Sequence, residues 1–380
     1  RRSTDLVARM SRHITHDRSY DTVDRDAFSV MMDVERYNRR SDAFDEIISA
    51  THDHFWDPLN PVYVDFSQPF DIDNEYIMPP EQVPELSGAV YDRLDEGQRI
   101  RLANESTRWG VSSILHGEQG ALSLSASLCH ILVDPGAQEY ASNQAREEAR
   151  HVTGFAKYIA HRWGTAYPVG DSLGSLMEEL VLAPEVYKKL VGMQMLIEGL
   201  AMGAFANLHR YTNDPVLKRL VQLVMTDEAF HHKFGKIWAD RTIPKLSEEE
   251  HRIVEDWAAK CFETLLFNLT NIRQKRAIYP QFGLDWEWVR DSVREVYRDR
   301  DSKRRNDLKD PTNIMRVLVK TLLNAGIITD RTRPLYANWI DVDDLEREEG
   351  LHIGEAIAAD GIEYLKELNK GRKVIGQKPI

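Results

Sequence analysis

Cysteine is nearly absent: Cys129 and Cys261 are the only two among 380 residues. Two thiols cannot form a disulfide framework, a closed thiolate zinc site or an iron–sulfur site, and they suit a reducing, cytoplasmic compartment. Also missing is any unbroken run of 18 apolar residues, so no membrane-spanning helix is expected. No apolar stretch follows Arg1-Arg2-Ser3-Thr4-Asp5, so no signal peptide is visible. Positive charge is in deficit: 49 Lys and Arg against 61 Asp and Glu leave a net charge of −12. That balance argues against a nucleic-acid coat. No Gly-rich nucleotide fingerprint occurs either. What remains is 42% hydrophobic and 29% charged residues, enough to build a sizeable core.

Proline is concentrated in one place. Residues 55–84 hold Pro58, Pro61, Pro69, Pro79, Pro80 and Pro84, a density that forbids a long helix. The same stretch carries Trp56, Tyr63, Phe66, Phe70 and Tyr76, which predict an irregular arm packed on a body. Helical texture starts near Leu94. Four long helices are predicted at about 95–131, 135–162, 184–210 and 215–240. Asp134-Pro135 and Asp214-Pro215 read as N-cap acids followed by proline at the first helical position. Between the second and third helices lies a connection with Gly164, Pro168, Gly170 and Gly174. A capping box, Ser247 with Glu250, opens a further helix toward Asn268. Helical patterns also fit 285–300, 311–324 and 342–368, before a basic tail. The expected organisation is an arm (1–94), a bundle (95–240) and a C-terminal helical extension of the same domain (241–380).

The chemistry sits in a repeat. Glu148-Ala149-Arg150-His151 and Glu228-Ala229-Phe230-His231 are both E-x-x-H, a spacing that puts carboxylate and imidazole on one helix face. Each is preceded by an acid, Glu147 or Asp227. Glu118, Asp134, Pro135, Glu147, Glu148 and His151 recur as Glu198, Asp214, Pro215, Asp227, Glu228 and His231, at a constant offset of 80. From Glu118 to Asp134 a helix climbs about 24 Å, and from Asp134 to Glu148 the next returns about 21 Å. Each hairpin therefore brings its glutamate and its E-x-x-H to one level. Glu118 and Glu198 lie on mostly apolar helices, where a lone carboxylate is costly. Four such carboxylates repel one another unless cations join them. Two metal ions held by Glu118, Glu148, His151, Glu198, Glu228 and His231 satisfy the pattern, a four-helix arrangement already known as a design. Mixed carboxylate and imidazole ligation suits iron, with manganese or a mixed Mn/Fe pair as alternatives. Glu147 and Asp227 are expected to hold the outer nitrogens of the ligand histidines, with Arg150 beside them.

The EEARH and DEAFH motifs resemble those of the ferritin-like di-iron carboxylate proteins, over about 95–240. The resemblance implies an all-α fold: a ferritin-like four-helix bundle with flanking helices and the aromatic arm. It also implies O₂ as co-substrate of an oxygenase or oxidase, most simply a monooxygenase. The arm resembles, more loosely, oxygenase components acting on aromatic acyl-CoA substrates. A ribonucleotide reductase small subunit, a ferroxidase and a non-catalytic metal-binding bundle are the alternatives. The first usually has a radical tyrosine where Phe155 stands, with Tyr158 nearby. Chain length weighs against a storage ferritin. The N-oxygenase branch adds a histidine one turn before the last motif; Val224 occupies that position and counts against that branch.

Leu115, Leu122, Phe155, Met195, Gly199, Met202 and Phe205 are the predicted pocket, for a small apolar or aromatic substrate, free or carrier-linked. Gly199 and Gly203 beside Glu198 suggest substrate space or a bulged helix. His232 points away from the ligand stripe. Lacking redox groups of its own, the chain is expected to take electrons from a reductase or ferredoxin. Arg298, Arg300, Lys303, Arg304 and Arg305 form one basic cluster. Neither nucleic acid nor membrane is an expected partner; a homodimer is.

Overall fold

The computed structural model describes residues 14–298, apart from 26 and 53, then 313–348 and 353–370. Arg300, Lys303, Arg304, Arg305 and the basic tail beyond 370 lie outside the described residues. The described chain is all-α, with a single isolated bridge, Thr22 to Leu132.

Four long helices form the centre: α1 (Glu96–Ile131), α2 (Pro135–Trp163), α4 (Val186–Tyr211) and α5 (Pro215–Thr242). Between the two pairs runs α3 (Asp171–Leu182). The connection read as Gly- and Pro-rich is therefore partly helical. Its apolar residues Leu173, Leu176, Met177 and Leu180 are buried, and that burial outweighs Gly174 in mid-helix. Around the bundle lie α6 (Glu248–Thr270), α7 (Trp286–Arg298), α8 (Ile314–Asn324), α9 (Val342–Arg347) and α10 (Ile353–Asn369). The pattern at 342–368 is thus two helices. Helix α1 pairs with α2 and α4 with α5, α8 and α10 cover α4, and α3 lies on α1 and α6.

Helix starts follow their cap chemistry. Asp95 and Gln98 form a capping box for α1, and Ser247 and Glu250 one for α6. Asp134 accepts from the amide of Ala137 and also from that of Ser41, so the same carboxylate caps α2 and ties down the arm. Asp214 accepts from the amide of Val216 and takes a bidentate Arg162 at 2.7 and 3.0 Å, plus the Tyr158 hydroxyl at 2.9 Å. The start of α5 is thereby pinned to the end of α2. Tyr158 is spent on this structural pair.

Helix α4 is predominantly apolar in its middle. Residues Leu190–Ile197 are all buried and wind as a π-helix ending at Glu198. By length and hydropathy alone Val186–Tyr211 passes as a membrane span; its window is 78% buried inside the bundle, which accounts for its composition. The arm lies against the bundle. Trp56, Tyr63 and Phe66 are buried, and the Tyr20 hydroxyl donates to the carbonyl of Phe234 at 3.1 Å.

Removing Asp214 would strand the Arg162 cation and uncap α5. Asp214→Ala is expected to cost about 3–5 kcal/mol in urea unfolding. Tyr158→Phe, which removes one donor to that carboxylate, should cost about 1.5–3 kcal/mol.

Candidate metal centre

Glu118 on α1, Glu148 and His151 on α2, Glu198 on α4, and Glu228 and His231 on α5 meet in the middle of the bundle. All six are buried, Glu148, His151, Glu228 and His231 completely. Their donor atoms fall into two groups. One is Glu118, Glu148, His151 and Glu228; the other is Glu148, Glu198, Glu228 and His231. Within each group all donors lie within 4.8 Å of one another. Glu148 and Glu228 belong to both, as carboxylates bridging two ions would.

The outer ring nitrogens show why a cation fits. His151 Nε2 lies 2.8 Å from Asp227, and His231 Nε2 lies 2.9 Å from Glu147. Each acid belongs to the opposite helix, so the E-x-x-H helices support each other crosswise. With the proton at Nε2, each Nδ1 presents a lone pair to carboxylates. His151 Nδ1 faces Glu118 at 3.1, Glu148 at 3.2 and Glu228 at 3.1 Å. His231 Nδ1 faces Glu148 and Glu228, both at 3.0 Å. Lone pairs aimed at one another at that range need either a proton or a cation between them. Glu228 Oε1 is also buried without a hydrogen bond. The donor set suits a dinuclear centre.

Electrostatics agree. Burial above all pushes Glu118 and Glu198 well above the usual carboxylate range. Burial also raises Glu148, but His231 and His151 outweigh it and hold that carboxyl low. Burial would lower His151 and His231, yet the carboxylates around them raise both. Asp227 resists burial through Arg150, His151 and His54 and stays well below its ordinary value.

Asp227 is the hub of the outer layer. Besides His151 it receives the Arg150 guanidinium in a bidentate pair and the Trp56 indole N–H at 2.9 Å. His54 Nε2 lies 3.2 Å from it, with the imidazole stacked on Phe230. The Trp56 ring stacks on His151 at 6.0 Å between centroids. Two glutamines complete the site. Gln144 donates to Glu148 and Glu198, both at 3.1 Å, and accepts from Gln194 at 2.9 Å.

A cavity of about 280 Å³ opens from the metal centre between α1 and α4. Glu118 and Glu198 line it, with Gly110, Ile114, Gly117 and Ala121 on α1 and Ala201, Ala204 and Phe205 on α4. Trp109, Met177 and Leu265 add apolar surface, and Lys275 stands among its lining.

All six expected ligands converge, and Glu147, Asp227 and Arg150 stand behind them. The expected pocket residues divide between two cavities and the core. Of the seven, only Phe205 lines the first. Met195, Gly199 and Met202 line a second cavity against α8, with His232 and Thr321. Phe155 is core, stacked on Phe205 at 5.7 Å. Leu115 and Leu122 line neither cavity. Helical spacing relative to Glu118 marks a stripe but does not say which flank is hollow. A Cβ on Gly199 would meet Thr321 and Leu318, and one on Gly203 would meet Ile314 and Val317. Those glycines admit α8, and the bulge expected near Glu198 is the π-helical turn before it. The reading missed His54, Trp56 as a partner of Asp227, Gln144 and Gln194. The glutamines left a signal: each lies four residues before a ligand, one turn back on the same face.

A family model described as P-aminobenzoate N-oxygenase AurF matches residues 37–320. The chain belongs to that family. The argument that Val224 counts against the N-oxygenase branch is thereby overturned; Val224 is fully buried core one turn before Glu228. No curated protein matches the chain. Among solved structures, an R2-like ligand-binding oxidase variant with aerobically reconstituted Mn/Fe cofactor is 14% identical. The match covers 86% of this chain and 94% of that one, with a TM-score of 0.37. A second variant, anaerobically reconstituted, is 15% identical over 86% and 93%, again at 0.37.

The two donor groups predict metal stoichiometry. Elemental analysis should find about two ions per chain. Glu148→Ala or Glu228→Ala should lose both, and Glu118→Ala or Glu198→Ala about one. The pH dependence has a sign. Glu118, Glu198, His151 and His231 hold protons more tightly folded than unfolded. Their stabilisation is complete below the unfolded values of 4.5 and 6.5 and is lost as pH rises through the raised folded values. Glu148, Glu228 and Asp227, shifted down, lose their contribution only in acid. Metal takes the protons' place, so the gap in melting temperature between metal-loaded and metal-free protein should widen from about pH 6 to about pH 8.

Proposed function

We propose that this member of the AurF family is an O₂-dependent di-metal monooxygenase acting on a small, largely apolar organic molecule. The observation that carries this reading is the shared wall: Glu118 and Glu198, one from each donor group, form the inner end of an apolar cavity. A metal pair used only for structure or iron storage has no need of an apolar chamber at its open side.

Iron is the metal we propose, with manganese or a mixed Mn/Fe pair compatible with the same oxygen-rich donors. When bound, the pair supplies the reduction of dioxygen and the oxidising power for the substrate. The chain's own residues do the rest. Gln144 fixes Glu148 and Glu198 by one amide. Asp227 and Glu147 hold the histidine Nε2 protons, so that Nδ1 stays a ligand. Arg150 balances the outer acids: it pairs with Asp227 and lies 3.7 Å from Glu147. Trp56 and His54 close the arm side against water. Met177, Leu265 and Phe205 keep the cavity dry, which strengthens every charge interaction at its inner end.

The named substrate of the family model, p-aminobenzoate, is an aromatic amine that also carries a carboxylate. An aromatic or aliphatic body of that size fits a cavity of about 280 Å³. Two electrons beyond those of the substrate must come from outside, and a reductase or ferredoxin is the partner proposed. A homodimer is supported by a row of exposed apolar side chains in the arm, Phe28, Met32, Val34 and Tyr37. The two free thiols support a cytoplasmic location.

The test is to load the protein anaerobically with Fe(II), mix it rapidly with O₂, and record oxygen uptake and the visible spectrum. Uptake of about one O₂ per two irons with a transient visible band is expected, and both should vanish in Glu198→Ala. Uptake no faster than that of free Fe(II) would sink the reading. A stable tyrosyl radical signal would move it to a radical-generating subunit.

A further inference from the structure

Two side-chain amides, Gln144 on α2 and Gln194 on α4, are buried beside the metal centre. Gln144 Nε2 donates to Glu148 Oε1 and to Glu198 Oε1, both at 3.1 Å. Its carbonyl accepts from Gln194 Nε2 at 2.9 Å. Chemistry permits one orientation. Metal-binding carboxylates only accept, so the NH₂ of Gln144 must face them and its oxygen must face away. A buried amide oxygen needs a donor, and Gln194 supplies it. The arrangement leaves Gln194 Oε1 buried with no partner. That orphan is a standing cost in a segment where a side chain without it would fit. The other seven residues of the π-helical turn Leu190–Ile197 are apolar. Methionine would fill the same space with no unpartnered oxygen. Helix α5 also gives way there: a Cβ on Gly235 would fall 2.9 Å from the Cβ of Gln194. The one polar group that Gln194 uses at this position is its N–H.

The lock is one-sided. By the offset of 80, Gln144 corresponds to Val224 and Gln194 to Ile114, and neither of those side chains can donate. The oxygen of Glu148 that Gln144 bonds is the one 3.0 Å from His231 Nδ1, while Oε2 faces His151 Nδ1 at 3.2 Å. Glu198 belongs only to the donor group that contains His231. Both hydrogen bonds of the Gln144 amide therefore fall on that group.

We infer that Gln194 is a positioning residue for one of the two metal ions. It fixes the Gln144 amide, which in turn holds Glu148 and Glu198 in place for the ion beside His231. The ion beside His151 has no such lock, so the two sites are unequal by construction. The inference rests on the metal centre and not on the reaction proposed for it.

The test is titration with Mn(II), an ion suited to these oxygen-rich donors, read by the paramagnetic resonance of the free ion. Two backgrounds isolate the sites. Glu118→Ala leaves the group of His231, and Glu198→Ala leaves the group of His151. Gln194→Met should weaken binding at least about tenfold in the first background. In the second, the change should stay within about twofold. Gln144→Met should give the same selective loss, and the double variant no more than either single, because one glutamine acts through the other. Equal losses in both backgrounds, as a general loosening of the bundle would give, overturn the inference. So does an unchanged affinity in the first background, or a double variant whose losses multiply. Circular dichroism checks the fold of each chain, and Gln194→Leu, which also lacks the donor, takes over if Gln194→Met does not fold. A parent that binds no Mn(II) defeats the metal centre itself, and the inference with it.

Discussion

Everything in this fold answers one electrostatic demand. Four carboxylates and two imidazoles are packed where no water can solvate them, within two groups that share Glu148 and Glu228. Isolated charges of that kind are prohibitive in a protein interior, and metal cations are the only partners dense enough in charge to offset all four acids at once. The outer layer makes sense only under that demand. Asp227 and Glu147 add negative charge beside the imidazoles, and Arg150 compensates by reaching Asp227 directly and Glu147 at longer range. Gln144 and Gln194 add polarity without charge. The bundle's rigidity follows, because a helix carrying one misplaced carboxylate would leave it unpaired. Asp134 and Asp214 fix the helix starts 14 residues before the E-x-x-H glutamates, which sets their level along the bundle.

The two halves are built alike in sequence and used differently. Arg150 and Phe230 occupy equivalent places, 80 residues apart. Arg150 faces Asp227 and lies 5.1 Å from the Trp56 ring, while Phe230 carries the His54 imidazole at 5.0 Å. The arm therefore reads the asymmetry: Trp56 bonds Asp227, the support of His151, and His54 lies within 4.8 Å of both Asp227 and Glu147. The π-helical turn is also one-sided. It precedes Glu198 and has no counterpart before Glu118, which lies in regular helix. A widened turn in a segment with no exposed residue is tolerated because α5 approaches it closely. A Cβ on Gly235 would fall 2.9 Å from the Cβ of Gln194.

Legibility divided along the same physical line. Metal ligands must share a helix face and a level, so spacing alone exposes them, and the offset of 80 between the two sets made coincidence implausible. Helix starts were legible because Asp-Pro and Ser-x-x-Glu act on adjacent backbone. His54 and Trp56 were not, since an irregular arm has no periodicity to say where its residues land. Helix α3 was masked by Gly170 and Gly174, whose local cost is outweighed by four buried apolar side chains that only the tertiary structure reveals. Val224 misled for a different reason. A single position was set against a histidine pattern, while the family model matches residues 37–320 with valine there.

The hollow beside the metals was the least legible part, and the glycines show why. Gly199 and Gly203 stand next to a ligand and invite the idea of substrate space; α8 closes on Gly203, while Gly199 lines the second cavity. Gly117 adjoins the ligand Glu118 just as Gly199 adjoins Glu198, yet with Gly110 it borders the open cavity. A missing side chain has the same signature in sequence whether a helix or a ligand fills the gap. Only the neighbour decides, and here the neighbour of Gly203 is Ile314, more than a hundred residues away. The same logic governs charge. Lys275 from one segment meets Glu85 from another, an ammonium on a buried carboxylate at 2.6 Å. A site's selectivity thus depends on compensations between segments distant in sequence, while its reactivity depends on spacings within single helices. That is why the reaction class could be read from one chain and the shape of its substrate could not.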